Sequence, residues 1–253
     1  MNKIDKIYYI NLDRRPDRNT HFLNQCRQHV LPFSKIQRFQ AIDGLTYNFT
    51  EDIYKMFVNC DYFRTLDFYR KNNMQEKYYK IAEELTRKIM GNQLSHYTII
   101  NDIVINNYEY GIVFQDDAKL NNNFVEYIDN LIENLPEDTE IMNIGANKLA
   151  DGSHVIPWDF EKDKEETIII ENINDYVGRL HKDMNPCSLA YIVTRKGARN
   201  LIEYFNTVGF LKATDFNFNH YLMSKNIFYS CQKIMATTEF QGSDVFELCN
   251  VPL

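Results

Sequence analysis

The chain has 253 residues, 44% of them apolar and 14% aromatic, with a formal net charge of −7. That is enough for the core of one large α/β domain or two small ones, and apolar residues spread over the whole length exclude a long disordered segment. The negative charge excludes a protein that grips nucleic acid by its phosphates, yet leaves open a small anion such as a diphosphate, held by a few donors and a metal ion.

Lys6 to Leu12 (KIYYINL) reads as a buried strand ended by the charged cluster Asp13, Arg14, Arg15, Pro16, Asp17, Arg18. Asp17 to His29 follows as a helix, with Phe22, Leu23, Cys26 and Val30 at helical spacing. Strand then helix opens an α/β fold. The charged cluster has two readings: a solvated turn, or a helix start whose free backbone donors and guanidinium groups meet an anion. Ile36 to Ile42 reads as a second strand, turned by Asp43-Gly44. Thr50 to Lys80 shows no clear period and reads as short helices and loops.

Gly91 to Asn107 carries Leu94, Tyr97, Ile100, Ile103 and Val104 on one stripe, the pattern of an amphipathic helix. Ser95 and His96 lie within it; a histidine beside an apolar stripe is more often structural than a ligand or base. Gly111 to Phe114 (GIVF) is a buried strand, and Gln115, Asp116 and Asp117 follow at once. Acids at the carboxyl end of a core strand stand where open α/β sheets bind ligands. Adjacent carboxylates repel each other, and a divalent ion that also takes diphosphate oxygens would compensate them. A solvated Asp-Asp turn is the competing reading.

Asn123 to Leu135 reads as a helix stopped by Pro136, and Glu140 to Gly145 as a strand. Asp151 to Asp183 reads as a less regular insertion, a loop over the site. Ser188 to Thr194 is a strand, Arg195 to Phe205 a helix, Phe216 to Ser224 a helix with Asp215 as its N-cap, and Ile227 to Gln232 a late strand. With neither repeat nor linker, one domain spanning residues 1–253 is expected. Five cysteines without CxxC spacing make neither a disulfide framework nor a zinc site. No signal segment and no apolar stretch approaching 18 residues is visible, so a soluble, cytoplasmic protein is expected, with peripheral membrane contact left open.

Six stretches in order carry a resemblance: IYYINLDRRPDR at Ile7 to Arg18, AIDG at Ala41 to Gly44, GNQLSH at Gly91 to His96, YGIVFQDDA at Tyr110 to Ala118, AYIVTRKGARNLI at Ala190 to Ile202, and ATD at Ala213 to Asp215. Together they resemble glycosyltransferase family 25, which includes lipooligosaccharide and procollagen galactosyltransferases. The resemblance implies a GT-A type fold, α/β with a mostly parallel central sheet, and an inverting transfer of a hexose (glucose or galactose) from a UDP-sugar. The acceptor it implies is a hydroxyl on a glycan or a collagen-like glycoprotein. It places Asn11, Leu12, Arg15, Arg18, Ser95, His96, Gln115 and Asp116 around the donor and makes Asp117 and Asp116 ligands of Mn2+ or Mg2+. It also matches Asp215 to the acid of the family's Pro-Val-Asp-like motif, and Asp215 is taken as the general base. Gln115 stands where the family usually has Glu, a weaker ligand for a hard cation, and Asp244 is the candidate for the missing ligand. Two other readings share these residues: a non-catalytic nucleotide-sugar or carbohydrate-binding module, and a metal-dependent nucleotide-sugar hydrolase.

Overall fold

After its first residue every side chain of β1 (Lys6–Asn11) is buried, and alternate ones enter opposite cores: Ile7 and Tyr9 on one side, Tyr8 and Ile10 on the other. Burial on both faces marks a strand covered by helices on both sides. The computed structural model describes residues 1–72, 75–146, 169–180, 188–225 and 229–238. Its elements run from β1 through α1 (Pro16–Gln28), β2 (Ile36–Gln40), α2 (Glu51–Met56), α3 (Asp61–Lys71) and α4 (Glu76–Ile105) to β3 (Tyr110–Gln115) and β4 (Ala118–Leu120). Then come α5 (Phe124–Glu133), β5 (Ile141–Asn143), β6 (Gly145–Ala146), β7 (Ile169–Asn172), β8 (Val177–Leu180) and β9 (Ala190–Thr194). The last are α6 (Arg195–Val208), α7 (Thr214–Lys225), β10 (Tyr229–Cys231) and β11 (Ala236–Thr238).

The main sheet has the order β2-β1-β3-β9-β5-β10-β8-β7, and all but β9 and β8 run in one direction. This is the mostly parallel α/β architecture the sequence implied, consistent with a GT-A-like fold. Phe22 and Cys26 of α1 and Phe124, Ile128 and Leu131 of α5 pack on one face; Ile99, Ile100 and Ile103 of α4 and Leu201 and Phe205 of α6 pack on the other. A small sheet, β4-β11-β6, extends from the strand that follows the acid pair.

Helix α4 differs most from the sequence reading, beginning at Glu76 instead of Gly91. Residues 76–90 contain neither Gly nor Pro, and Gly91 does not interrupt the helix. Its missing side chain is instead what lets the Ile42–Gly44 backbone lie against α4: a Cβ on Gly91 would collide with Ile42 O, and one on Gly44 with Arg87 O. Asp215 is also not the N-cap it was expected to be, because α7 already starts at Thr214 and Asp215 sits inside the first turn. The turn before α7 is held by Asn217, whose Oδ1 accepts the N–H groups of Leu211 (2.9 Å) and Lys212 (3.2 Å).

The expected insertion is a β7-β8 antiparallel hairpin at the sheet edge in its described part; the remainder lies outside the described residues. Cys26, Cys60 and Cys231 are buried free thiols, and no helix among the described residues is long and apolar enough to cross a membrane.

Candidate active site

Parallel neighbours β1 and β3 end side by side, with Ile10 level with Gln115. The register therefore brings Asn11 beside the acids that follow Gln115. Asn11 Nδ2 donates to Asp116 Oδ2 at 2.6 Å and to Arg15 O at 3.0 Å, while its Oδ1 accepts from Arg38 Nε of β2 at 2.9 Å. Arg18, in the first turn of α1, reaches the same place: its Nη1 lies 3.3 Å from Asp116 Oδ1 and 3.6 Å from Asp117 Oδ2. Asn11, Arg18, Asp116 and Asp117 are all buried. The repulsion between adjacent carboxylates is thus offset within the chain by one guanidinium, which unlike a lysine cannot escape by losing its proton.

Above this floor lies a cleft open to solvent. Leu12 and Arg14 from the end of β1, Asp43 from the loop after β2, and Lys88, Asn92 and Ser95 from α4 line it with Arg18 and the acid pair. Arg14 Nε meets Asp43 Oδ2 at 3.0 Å, joining two loops across the mouth. Ser95 is occupied structurally: its Oγ donates to Gly91 O at 2.8 Å and accepts from Ile42 N at 2.9 Å. It fastens the Ala41–Gly44 segment to α4 where the two glycines permit close approach.

Gln115 also borders the cleft, but its Nε2 donates to Ser188 Oγ at 3.1 Å and Ser188 O at 3.4 Å. A carboxylate there would face that carbonyl with no proton to give, so the amide suits its neighbours. His96 points into the core, its Nδ1 2.9 Å from Tyr191 OH and its ring edge-on to Phe218. Burial pushes its pKa down to about 3, so it is neutral at physiological pH.

Asp215 adjoins the cleft through its neighbour: Thr214 Oγ1 donates to Asn92 Oδ1 at 2.6 Å, and Asn92 is a lining residue. Asp215 Oδ1 accepts from Phe216 N at 2.9 Å, and burial raises its carboxyl above the ordinary value despite that bond.

Of the residues nominated from sequence, Leu12, Arg18, Ser95, Gln115, Asp116 and Asp117 line one cleft, and Asn11 lies directly beneath it. Arg15 is paired with Asp17 (2.8 Å), and its neighbour Arg14 takes the lining position. Asp244 lies outside the described residues. Lys88, Asn92 and Asp43 were not nominated. Lys88, Asn92 and Ser95 stand at i, i+4 and i+7, one face of a helix, a signal that becomes visible once α4 is extended back to Glu76.

Among the described residues no group of three or more His, Cys, Asp and Glu side chains is gathered to cage a metal. The donor set fits a different kind of site. Two carboxylates bordering an open cleft suit a hard divalent cation that completes its shell with water and substrate phosphate.

The sequence model of glycosyltransferase family 25 (LPS biosynthesis protein) matches residues 4–217. Procollagen galactosyltransferase 2 of Homo sapiens is 22% identical over 201 residues, covering 78% of this chain and 27% of that protein. Procollagen galactosyltransferase 1 of Danio rerio is 24% identical over 202 residues, 78% of this chain and 28% of that protein. The probable inactive glycosyltransferase 25 family member 3 of Bos taurus is 26% identical over 204 residues, again 78% of this chain and 28% of that protein. The chain thus spans less than a third of the length of these relatives. The matched residues run from β1 through the acid pair to the first turn of α7, and the chain belongs to glycosyltransferase family 25.

Proposed function

We propose that the chain is an inverting, metal-assisted hexosyltransferase that moves glucose or galactose from a UDP-sugar to a hydroxyl on a glycan or glycoprotein. The observation that carries this reading is the buried pair Asp116 and Asp117 at the end of β3, held by Asn11 and Arg18 at the floor of an open cleft. Asp117 and Asp116 would hold Mn2+ or Mg2+, which when bound supplies positive charge to the donor diphosphate.

The chain's own groups account for the rest. Asn11 and Arg18 fix Asp116 so that no reorganisation is needed when charge develops. Arg14 and Lys88 border the cleft as further cations. Asp215 takes the proton of the acceptor hydroxyl as its oxygen attacks the anomeric carbon from the face opposite the diphosphate. A pKa raised by burial suits that task better than an ordinary Asp.

A second reading, a non-catalytic nucleotide-sugar-binding module, is favoured by Arg18 already compensating the acids and by relatives named as inactive. Turnover separates the two. Asp117→Asn should abolish transfer of sugar while thermal melts show the variant still folded, since the amide keeps the size of this buried acid and can still accept a hydrogen bond from Arg18. Full activity of that variant in chelator contradicts the metal-assisted reading. Donor binding without turnover in the wild type favours the module.

A further inference from the structure

The described lining of the cleft balances its charges: Arg14, Arg18 and Lys88 against Asp43, Asp116 and Asp117. Two of the three cations are committed, Arg14 to Asp43 at 3.0 Å and Arg18 to the acid pair. Lys88 is half-buried on the cleft face of α4 and makes no hydrogen bond or ion pair with any described residue. An ammonium on a cleft wall without a counter-charge is available to an entering anion.

Lys88 also has a fixed address. It stands one turn before Asn92 on the same helical face, and Asn92 is bonded to Thr214 beside Asp215. Its own turn of α4 is clamped by Gly44, whose Cα lies against the Arg87 and Lys88 backbone. The ammonium therefore rises from a rigid wall on the same helix face that contacts the α7 turn carrying Asp215.

We propose that Lys88 is a catalytic residue of the transfer reaction, contacting the terminal phosphate of the leaving nucleoside diphosphate and taking up the charge that develops there. This rests on the transferase reading above. As the acceptor oxygen bonds to the anomeric carbon, the bond from that carbon to the diphosphate oxygen breaks, and its electron pair stays on the phosphate. The proton of the acceptor passes to the Asp215 carboxylate. The released diphosphate carries one more negative charge than the donor's diphosphate group, and Lys88 meets that additional charge. Arg14 and Arg18 already have charge met by Asp43 and the acid pair, so the ammonium without a counter-charge gains most from that additional negative charge. A contact of this kind binds the product and the transition state more tightly than the donor, which is what raises turnover.

The test is calorimetric titration of UDP and of UDP-galactose and UDP-glucose, with Mn2+, into wild type, Lys88→Met, Lys88→Gln and Lys88→Arg. Thermal melts confirm that each variant is folded. Wild type should bind UDP and a UDP-sugar. Met and Gln should each lose about tenfold more affinity for UDP than for the sugar nucleotide, while Arg stays within about threefold of wild type. With acceptor, turnover of the Met variant should fall by roughly 10²-fold with little change in donor KM. Unchanged UDP affinity in folded Met and Gln variants, or equal losses for UDP and UDP-sugar, overturns the assignment while leaving the transferase reading intact. Wild type that binds neither nucleotide contradicts both.

Discussion

Two titratable groups near the cleft, half-buried Asp215 and fully buried His96, respond to desolvation in opposite ways. Asp215 is held above its ordinary 3.8, so the folded chain binds that proton more tightly than the unfolded chain. Its contribution to stability is fully present below pH 3.8 and is lost as pH rises through the folded value. Asp215→Asn removes that loss. Urea unfolding at about pH 4 to 7 should show the variant at least as stable as wild type at neutral pH, with a flatter pH dependence. A variant clearly less stable at pH 7 contradicts the assigned burial. The same substitution should lower turnover by about 10²-fold or more while donor affinity stays near wild type; loss of donor affinity instead would move Asp215 to the donor side. His96 behaves conversely, since its depressed pKa destabilises the fold only as pH falls from 6.5 toward about 3. At neutral pH it is no cation for a diphosphate.

Site residues were legible in sequence where a motif sat at a strand end. Asp116, Asp117 and Arg18 flank β3 and β1, and parallel register brings those ends together. The buried, structural His96 is the reading its apolar stripe favoured, and only the family resemblance set it beside the donor; Ser95 borders the cleft instead, a one-residue step on a helix turning the side chain by about 100°.

At the scale of elements, the cleft depends on how closely the loop after β2 approaches α4. Gly91 and Gly44 set that distance. Gly91→Ala should destabilise the protein by about 2 kcal/mol or more in chemical denaturation, although alanine is the better helix former by about 1 kcal/mol. A stabilised variant would show that the loop yields easily. The end of α1 offers the opposite case: Val30, 81% exposed, is forced to a φ of 54° just past the helix, where Leu31 N closes on Cys26 O. A β-branched side chain is strained there and contributes little packing, so Val30→Gly should raise stability by about 1 kcal/mol. A lower melting temperature would show that the Val30 side chain is worth more than its exposure indicates. Strand-helix alternation was readable from hydrophobic spacing. The first half of α4 was not, since residues 76–90 are mixed in charge and aromatics and owe their helicity to continuity with the packed half.

At the scale of the whole molecule, the six family-like stretches are scattered over more than two hundred residues, and the fold gathers several of them into one place. IYYINLDRRPDR and YGIVFQDDA meet through β1 and β3; AIDG and GNQLSH meet at the glycine contact; ATD docks on α4 through Thr214 and Asn92. The α/β class followed from the alternation of patterns, whereas the reversal of β9 between β3 and β5 did not, because a strand buried on both faces reads the same in either direction.

The central claim is that this cleft passes a sugar from a nucleotide to an acceptor. The direct measurement is UDP release from UDP-galactose and UDP-glucose by the purified chain with Mn2+, with and without a panel of galactosylated, glucosylated and hydroxylated collagen-like acceptors. Release that rises several-fold with one acceptor, together with a matching gain of one hexose on that acceptor, is the predicted result. Equal release with and without acceptor would make the protein a nucleotide-sugar hydrolase and contradict the account.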